Sequence, residues 1–148
     1  PGSIILQFRR VDASTKVAEK LGISYGDPVY FLKRLRLLNG RIIGLHATYI
    51  RSDLGITLSE DDFDSSTSLY ELLESRNIRL GSADETMEAK MSNAELRRDL
   101  FLEEDQPVIY KERITYDTEG KTVEFSENTY IGEIYKYYIH IVNVREGR

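Results

Sequence analysis

PVYFLKRLRLLNGRIIGLHATYIR, residues 28–51, reads as two strands joined at Asn39-Gly40. Asn-Gly between two apolar runs is a strong hairpin signal, because both residues tolerate the positive φ of a tight turn. Alternation along the first strand puts Val29, Phe31, Leu35 and Leu37 on one face and Tyr30, Leu32, Arg34 and Arg36 on the other. A face that mixes apolar bodies with two guanidinium groups is unusual for plain solvent exposure and marks a candidate anion site. The return strand adds His46, whose position depends on the turn. A two-residue Asn39-Gly40 turn sets His46 beside Lys33, whereas a three-residue Leu38-Asn39-Gly40 loop sets it opposite Arg34.

The same pattern returns 79 residues later, where Leu21, Pro28, Val29 and Arg34 coincide with Leu100, Pro107, Val108 and Arg113. Each copy reads as a helix, a Pro-Val strand, a turn at Gly40 or Gly120, and a return strand ending in Tyr49 or Tyr130, the second hairpin about two residues longer. Two copies are too few for a solenoid, so the repeat implies a pseudo-symmetric sheet with a ligand cleft where the halves meet. In the second copy Val108, Tyr110, Ile114 and Tyr116 form an apolar face opposite Arg113 and Thr115. On its return strand Val123 and Phe125 alternate with Glu124, Ser126, Asn128 and Tyr130, a row of hydrogen-bonding groups suited to hydroxyls or an amine.

Further strands are expected over 4–11, 79–91 and 135–144, and helices over 14–22, 67–77 and 92–100. Hairpins dominate, so the expected fold is α+β with a twisted, mainly antiparallel sheet in one domain over residues 1–148. Ser68-Leu69-Tyr70-Glu71 is a capping box, and Ser68 beside Arg34 and Arg36 would complete a cradle for a phosphate or carboxylate.

Composition excludes several functions. A net charge of −5 argues against nucleic-acid binding by this chain itself, since phosphate neutralisation needs the opposite balance. Without cysteine there is no disulfide, thiolate metal site or thiol nucleophile. No apolar run is long enough to cross a bilayer, and the absence of cysteine fits a reducing cytoplasm. The two histidines, His46 and His140, belong to no nucleophile or phosphate-loop motif, and the acidic run 59–64 lacks calcium-loop spacing. No catalytic residue, metal or cofactor is expected.

Pro-Val, R-x-R, the S-x-Y-x-x-L-E helix start and a late E-x5-Y strand together resemble the UTRA domain, the effector-binding half of HutC-type regulators in the GntR family. The resemblance covers "VDASTKVAEKLGISYGDPVYFLKRLRLLNGRIIGLHATYI", "STSLYELLE" and "QPVIYKERITYDTEGKTVEFSENTYIGEIYKYYI". It implies a chorismate lyase-like fold used for binding rather than catalysis. It also implies a homodimer and an N-terminal winged helix-turn-helix, absent from this chain, that contacts operator DNA when a small metabolite allows it. Carried over by position, Arg34 and Arg36 would hold a phosphate, Ser68 would donate to it, and Glu124 and Tyr130 would contact the rest of the effector. His46 stands where many members have glutamate, and Tyr130-Ile131-Gly132-Glu133 replaces Y-R-G-D, so an amino sugar phosphate is not the default ligand. The alternatives are a lyase-type enzyme using Glu124 as acid or base, and a ligand-free dimerisation domain pairing through Tyr135, Tyr137 and Tyr138.

Overall fold

Six strands form one antiparallel sheet, in the spatial order β1-β2-β3-β6-β5-β4. The computed structural model describes residues 2–136 and 140. The strands are β1 (Gly2–Asp12), β2 (Pro28–Leu38), β3 (Arg41–Arg51), β4 (Leu80–Met91), β5 (Pro107–Asp117) and β6 (Thr122–Ile131). Helices α1 (Thr15–Leu21), α2 (Leu69–Ser75) and α3 (Ala94–Leu100) connect them. Tyr135 and Lys136 are not in a strand, and most of the segment expected as a final strand, with Tyr137 and Tyr138, lies outside the described residues.

The repeat extends further than the hairpins. Displacing β1-α1-β2-β3 by 79 residues gives β4-α3-β5-β6, and both helices begin and end at equivalent positions. Each helix is capped by a short polar side chain, Ser14 or Asn93, accepting from the amide of the third helical residue. Each ends on a left-handed residue, Gly22 or Phe101. The central β3–β6 pair joins the halves, with His46 opposite Asn128 and Thr48 opposite Ser126.

Both hairpins also carry a β-bulge at the same repeat position. In the first, Leu37 pairs with Ile42 but Arg36 pairs with Gly44, leaving Ile43 as the extra residue. The turn is the two-residue Asn39-Gly40 form, with φ of 52° and 77°, yet the bulge moves His46 opposite Arg34. The expectation that this turn puts His46 beside Lys33 is therefore corrected: bulge and turn length set the register together. In the second hairpin Thr115 pairs with Glu124 and Tyr116 with Thr122, so Val123 is extra, and the loop is one residue longer than its counterpart, not two. Val123 and Phe125 accordingly do not share a face. Val123 packs in the α2 cluster and Phe125 in the α1 cluster.

Helices α1 and α3 cover one side of the sheet. Val17, Ala18 and Leu21 pack on Val29 and Phe125, and Leu100 packs on Leu35, Leu45 and Ile131. On the other side Leu69 and Leu73 of α2, with Leu58 and Phe63 of the preceding loop, pack on Tyr30, Leu32, Ile50 and Val123. Helix α2 spans only seven residues and fills one end of that side. The other end stays open as a cavity of about 430 Å³.

Candidate functional site

The cavity floor is the sheet face that carries Arg34 and Arg36 of β2, His46 and Thr48 of β3, Ser126, Asn128 and Tyr130 of β6, and Lys111 and Arg113 of β5. Its wall is the loop Ser65-Ser66-Thr67-Ser68 leading into α2. Strand alternation and the two bulges decide this membership, since a slip of one residue would turn each of these side chains to the opposite side.

Arg34 is 7% exposed, and its Nη1 donates to the Thr67 carbonyl at a long 3.4 Å while its Nε has no partner. Burial, and then the neighbouring Arg36 charge, lowers its proton affinity, with Glu124 acting in the opposite sense. Arg36 Nη1 donates to Ser3 Oγ at 3.4 Å, and the Ser3 amide donates to the Ser65 carbonyl at 2.9 Å. Ser3 thus joins the first strand to both the cation pair and the wall loop. Neither arginine has a carboxylate within ion-pair distance among the described residues. A buried guanidinium with an unmade hydrogen bond is costly unless an anion completes it.

Next to this pair, His46 Nε2 lies 2.7 Å from the Tyr130 hydroxyl. Burial, followed by the charges of Arg34, Arg36, Lys111 and Arg113, pulls the imidazole pKa down to about 3, so His46 is neutral near neutrality. The Tyr130 ring rests over Gly44, where a Cβ would come within 2.7 Å of the Thr129 carbonyl and 2.9 Å of that ring. Gly44 is the position that lets Tyr130 lie flat enough to reach His46. Asn128 Oδ1 is buried without a partner.

Ser68 caps α2 by accepting from the Glu71 amide at 3.3 Å, and it lines the cavity as expected. The reciprocal arm of the expected capping box is absent from α2 and is found instead between Ser59 and Asp62 in the acidic loop. Glu124 stands apart from the other candidates. It is fully buried beside the cavity, on the same sheet face but enclosed under α2, where its Oε1 accepts from Tyr70 at 2.8 Å and Thr115 at 2.6 Å, and its Oε2 accepts from Ser126. Tyr70 in turn accepts from Arg113 Nη1 at 3.3 Å, so Glu124 orders groups that face the cavity without lining it.

The structure therefore brings Arg34, Arg36, His46, Ser68 and Tyr130 to one cavity and encloses Glu124 beside it under Tyr70. Sequence reasoning missed Ser3, Tyr70, Glu85 and Lys111. Lys111 was findable, being two residues from Arg113 on the same strand face. Ser3 had no local signal, because only the pairing of β1 with β2 brings it opposite Arg36. No cluster of histidine, cysteine and carboxylates that could hold a metal ion occurs among the described residues. None of their helices is long and apolar enough to cross a membrane.

Comparison with known proteins supports the same reading. The chain is 26% identical over 138 residues to the HTH-type transcriptional repressor NagR of Bacillus subtilis, covering 93% of this chain and 56% of NagR. It is 26% identical over 132 residues to the HTH-type transcriptional repressor PhnF of Mycolicibacterium smegmatis, covering 89% of this chain and 54% of PhnF. The chain thus spans about half the length of these relatives. Among solved structures, the effector domain of PhnF from Mycobacterium smegmatis superposes with a TM-score of 0.83 at 25% identity, covering 95% of this chain and 87% of that one. A GntR-family transcriptional regulator from Bacillus cereus shares the fold, with a TM-score of 0.82 at 23% identity over 95% and 97% of the two chains. The UTRA domain matches residues 1–136. A six-stranded antiparallel sheet with this topology, a cation-lined cavity on one side and a match over nearly its whole length lead to one conclusion: the chain belongs to the UTRA domain family.

Proposed function

We propose that this domain senses an anionic small metabolite, such as a sugar phosphate, and thereby controls DNA binding by an attached domain of a bacterial transcriptional repressor. The observation that carries the reading is Arg34, buried beside Arg36 at an open cavity with its Nε unsatisfied. A phosphate there would accept from both guanidinium groups, and the hydroxyls of Ser3, Ser66 and Ser68 line the same cavity. Neutral His46, Tyr130 and Asn128 would take the hydroxyls of the remainder. Sensing rather than turnover fits Glu124, which does not line the cavity and whose two oxygens already accept from three hydroxyls.

Coupling would run through β1. Ser3 and Ile5 pair with Arg36 and Arg34, so the start of the chain is hydrogen-bonded to the strand that grips the anion. An effector that draws Arg36 away from Ser3 releases one contact of that segment. It shifts the regulator only by its differential affinity for the two arrangements. A homodimer in the bacterial cytoplasm, with operator contacts made by a winged helix-turn-helix, completes the proposal.

A thermal-shift screen with sugar phosphates, amino acids, fatty acids and phosphonates tests it. A ligand at a hundredfold excess over its Kd stabilises the fold by about 2.7 kcal/mol. Arg34→Ala should abolish the shift, lowering affinity by more than about tenfold. A ligand that shifts the melt of both forms equally would remove the anion cradle.

A further inference from the structure

The cavity is cationic at both ends, and the internal repeat is the reason. Arg113 of β5 occupies the position of Arg34 of β2, and Lys111 stands beside it on the same strand face. Strands β3 and β6 lie between, so the two cation pairs are rooted three strand intervals apart, about 14 Å between backbones. Every cavity-lining side chain on the intervening strands is uncharged: His46, Thr48, Ser126, Asn128 and Tyr130. The floor therefore reads cation, hydroxyl-binding row, cation.

The second cation pair already holds a carboxylate. Glu85 of β4 lies opposite Arg113, which donates from Nε to its Oε1 at 3.1 Å. Glu85 is the one carboxylate that lines the cavity among the described residues, and it leaves Lys111 without an acidic partner. Lys111 Nζ instead sits 5.5 Å from the Tyr130 ring centroid and 5.0 Å from that of Tyr135. Two aromatic faces position an ammonium without neutralising it.

We propose that the effector carries a second acidic group at the end opposite its phosphate, held by Lys111 with Arg113, and an uncharged hydroxylated spacer between the two. This makes it a phosphorylated sugar acid rather than a simple or amino sugar phosphate, and it rests on the anion-cradle reading above. An ammonium on the spacer would sit among four cations, with Glu85, the one lining carboxylate among the described residues, already engaged. Burial, and then the same four cations, keep His46 unprotonated.

Calorimetric titration of the chain with glucose 6-phosphate, 6-phosphogluconate and glucosamine 6-phosphate tests the assignment. The acid should bind at least about tenfold tighter than glucose 6-phosphate, and the amine weakest of the three. The ratio of the first two affinities is the readout, so a general loss of binding does not mimic the effect. In Lys111→Gln the ratio should fall to within about twofold, while Lys111→Arg should retain it. Equal affinities for acid and neutral sugar in the unaltered chain would sink the second anion site and leave the phosphate cradle standing. A preference that survives Lys111→Gln would likewise overturn the assignment to Lys111. Binding of none of the three overturns the cradle and the second site together.

Discussion

The two repeats begin from nearly the same arrangement and end in different environments. In the first, β1 carries Ile5 and Phe8 against the α2 core, and Arg34 of β2 lies buried beneath the loop that leads into α2. In the second, β4 is exposed along almost its whole length, and Arg113 of β5 lies half-buried and paired with Glu85. Residues 52–79, which follow the first hairpin, make the difference by folding over the first half. A duplicated sheet thus becomes a scaffold with one tight and one accessible cation, by covering only one of two equivalent positions.

The largest test of that asymmetry is packing. Leu73 of α2 is fully buried in the cluster over the first repeat, so Leu73→Ala should cost about 2–5 kcal/mol in chemical denaturation. Met87→Ala on β4 should stay within about 0.5 kcal/mol, because that side chain is already largely in solvent. Comparable losses at both sites would mean that β4 is covered in solution.

The helix ends offer a smaller and more local contrast. Gly22 and Phe101 hold equivalent left-handed positions, with φ of 66° and 58°. A side chain in that region costs roughly 1–2 kcal/mol, so Gly22→Ala should destabilise by about that amount. Phe101 is 73% exposed and has little packing to lose. Phe101→Gly should therefore raise the stability, by less than about 1 kcal/mol once the added freedom of the unfolded chain is subtracted.

A third contrast lies in pH dependence. His46 faces Arg34 as Ser126 faces Arg113, so His46→Ser makes the two positions alike. The folded pKa near 3 lies below the ordinary 6.5, so the unfolded chain binds the extra proton and stability falls as pH drops from about 6.5 toward 3. At about pH 5.5 the loss is on the order of 1 kcal/mol, and His46→Ser should flatten that part of the profile. Glu112, drawn down to about 2 by Lys16 and Tyr110 against its own burial, destabilises in the same direction only at lower pH, from about 4.5 downward. An unchanged slope between about pH 6.5 and 5 in His46→Ser would show that the imidazole titrates normally.

Much of this architecture was legible because it is periodic or punctuated. Alternation gave the strand faces of β2, Ser14 and Ser68 announced helix starts, and the 79-residue offset announced two related halves. Arg34 and Arg36 stood out because cations on a half-apolar strand face conflict with the pattern around them. What was hidden depends on pairing between distant segments. Ser3 meets Arg36 only through the β1–β2 register. Glu124 alternates with Val123 and Phe125 like any outward polar residue, and only the Tyr70 hydroxyl arriving from α2 shows that it is enclosed. The bulges at Ile43 and Val123 are invisible to alternation, since neither interrupts a run of strand-forming residues.

Ile43 gives the cavity an unusual kind of address. Ile43 is the residue left over between the Leu37–Ile42 and Arg36–Gly44 pairs; the same strand with the same turn but no bulge would place Leu45 opposite Arg34 and His46 beside Lys33, with no change to any side chain involved. What the pocket displays is set by a count as much as by a spelling. A relative lacking the extra residue would present the same groups from a regular ladder, and a comparison without a gap at Ile43 would read that strand out of frame. Adding or removing one residue between Gly44 and His46, with the bulge kept, is therefore a route by which such a sensor could change its specificity in a single step.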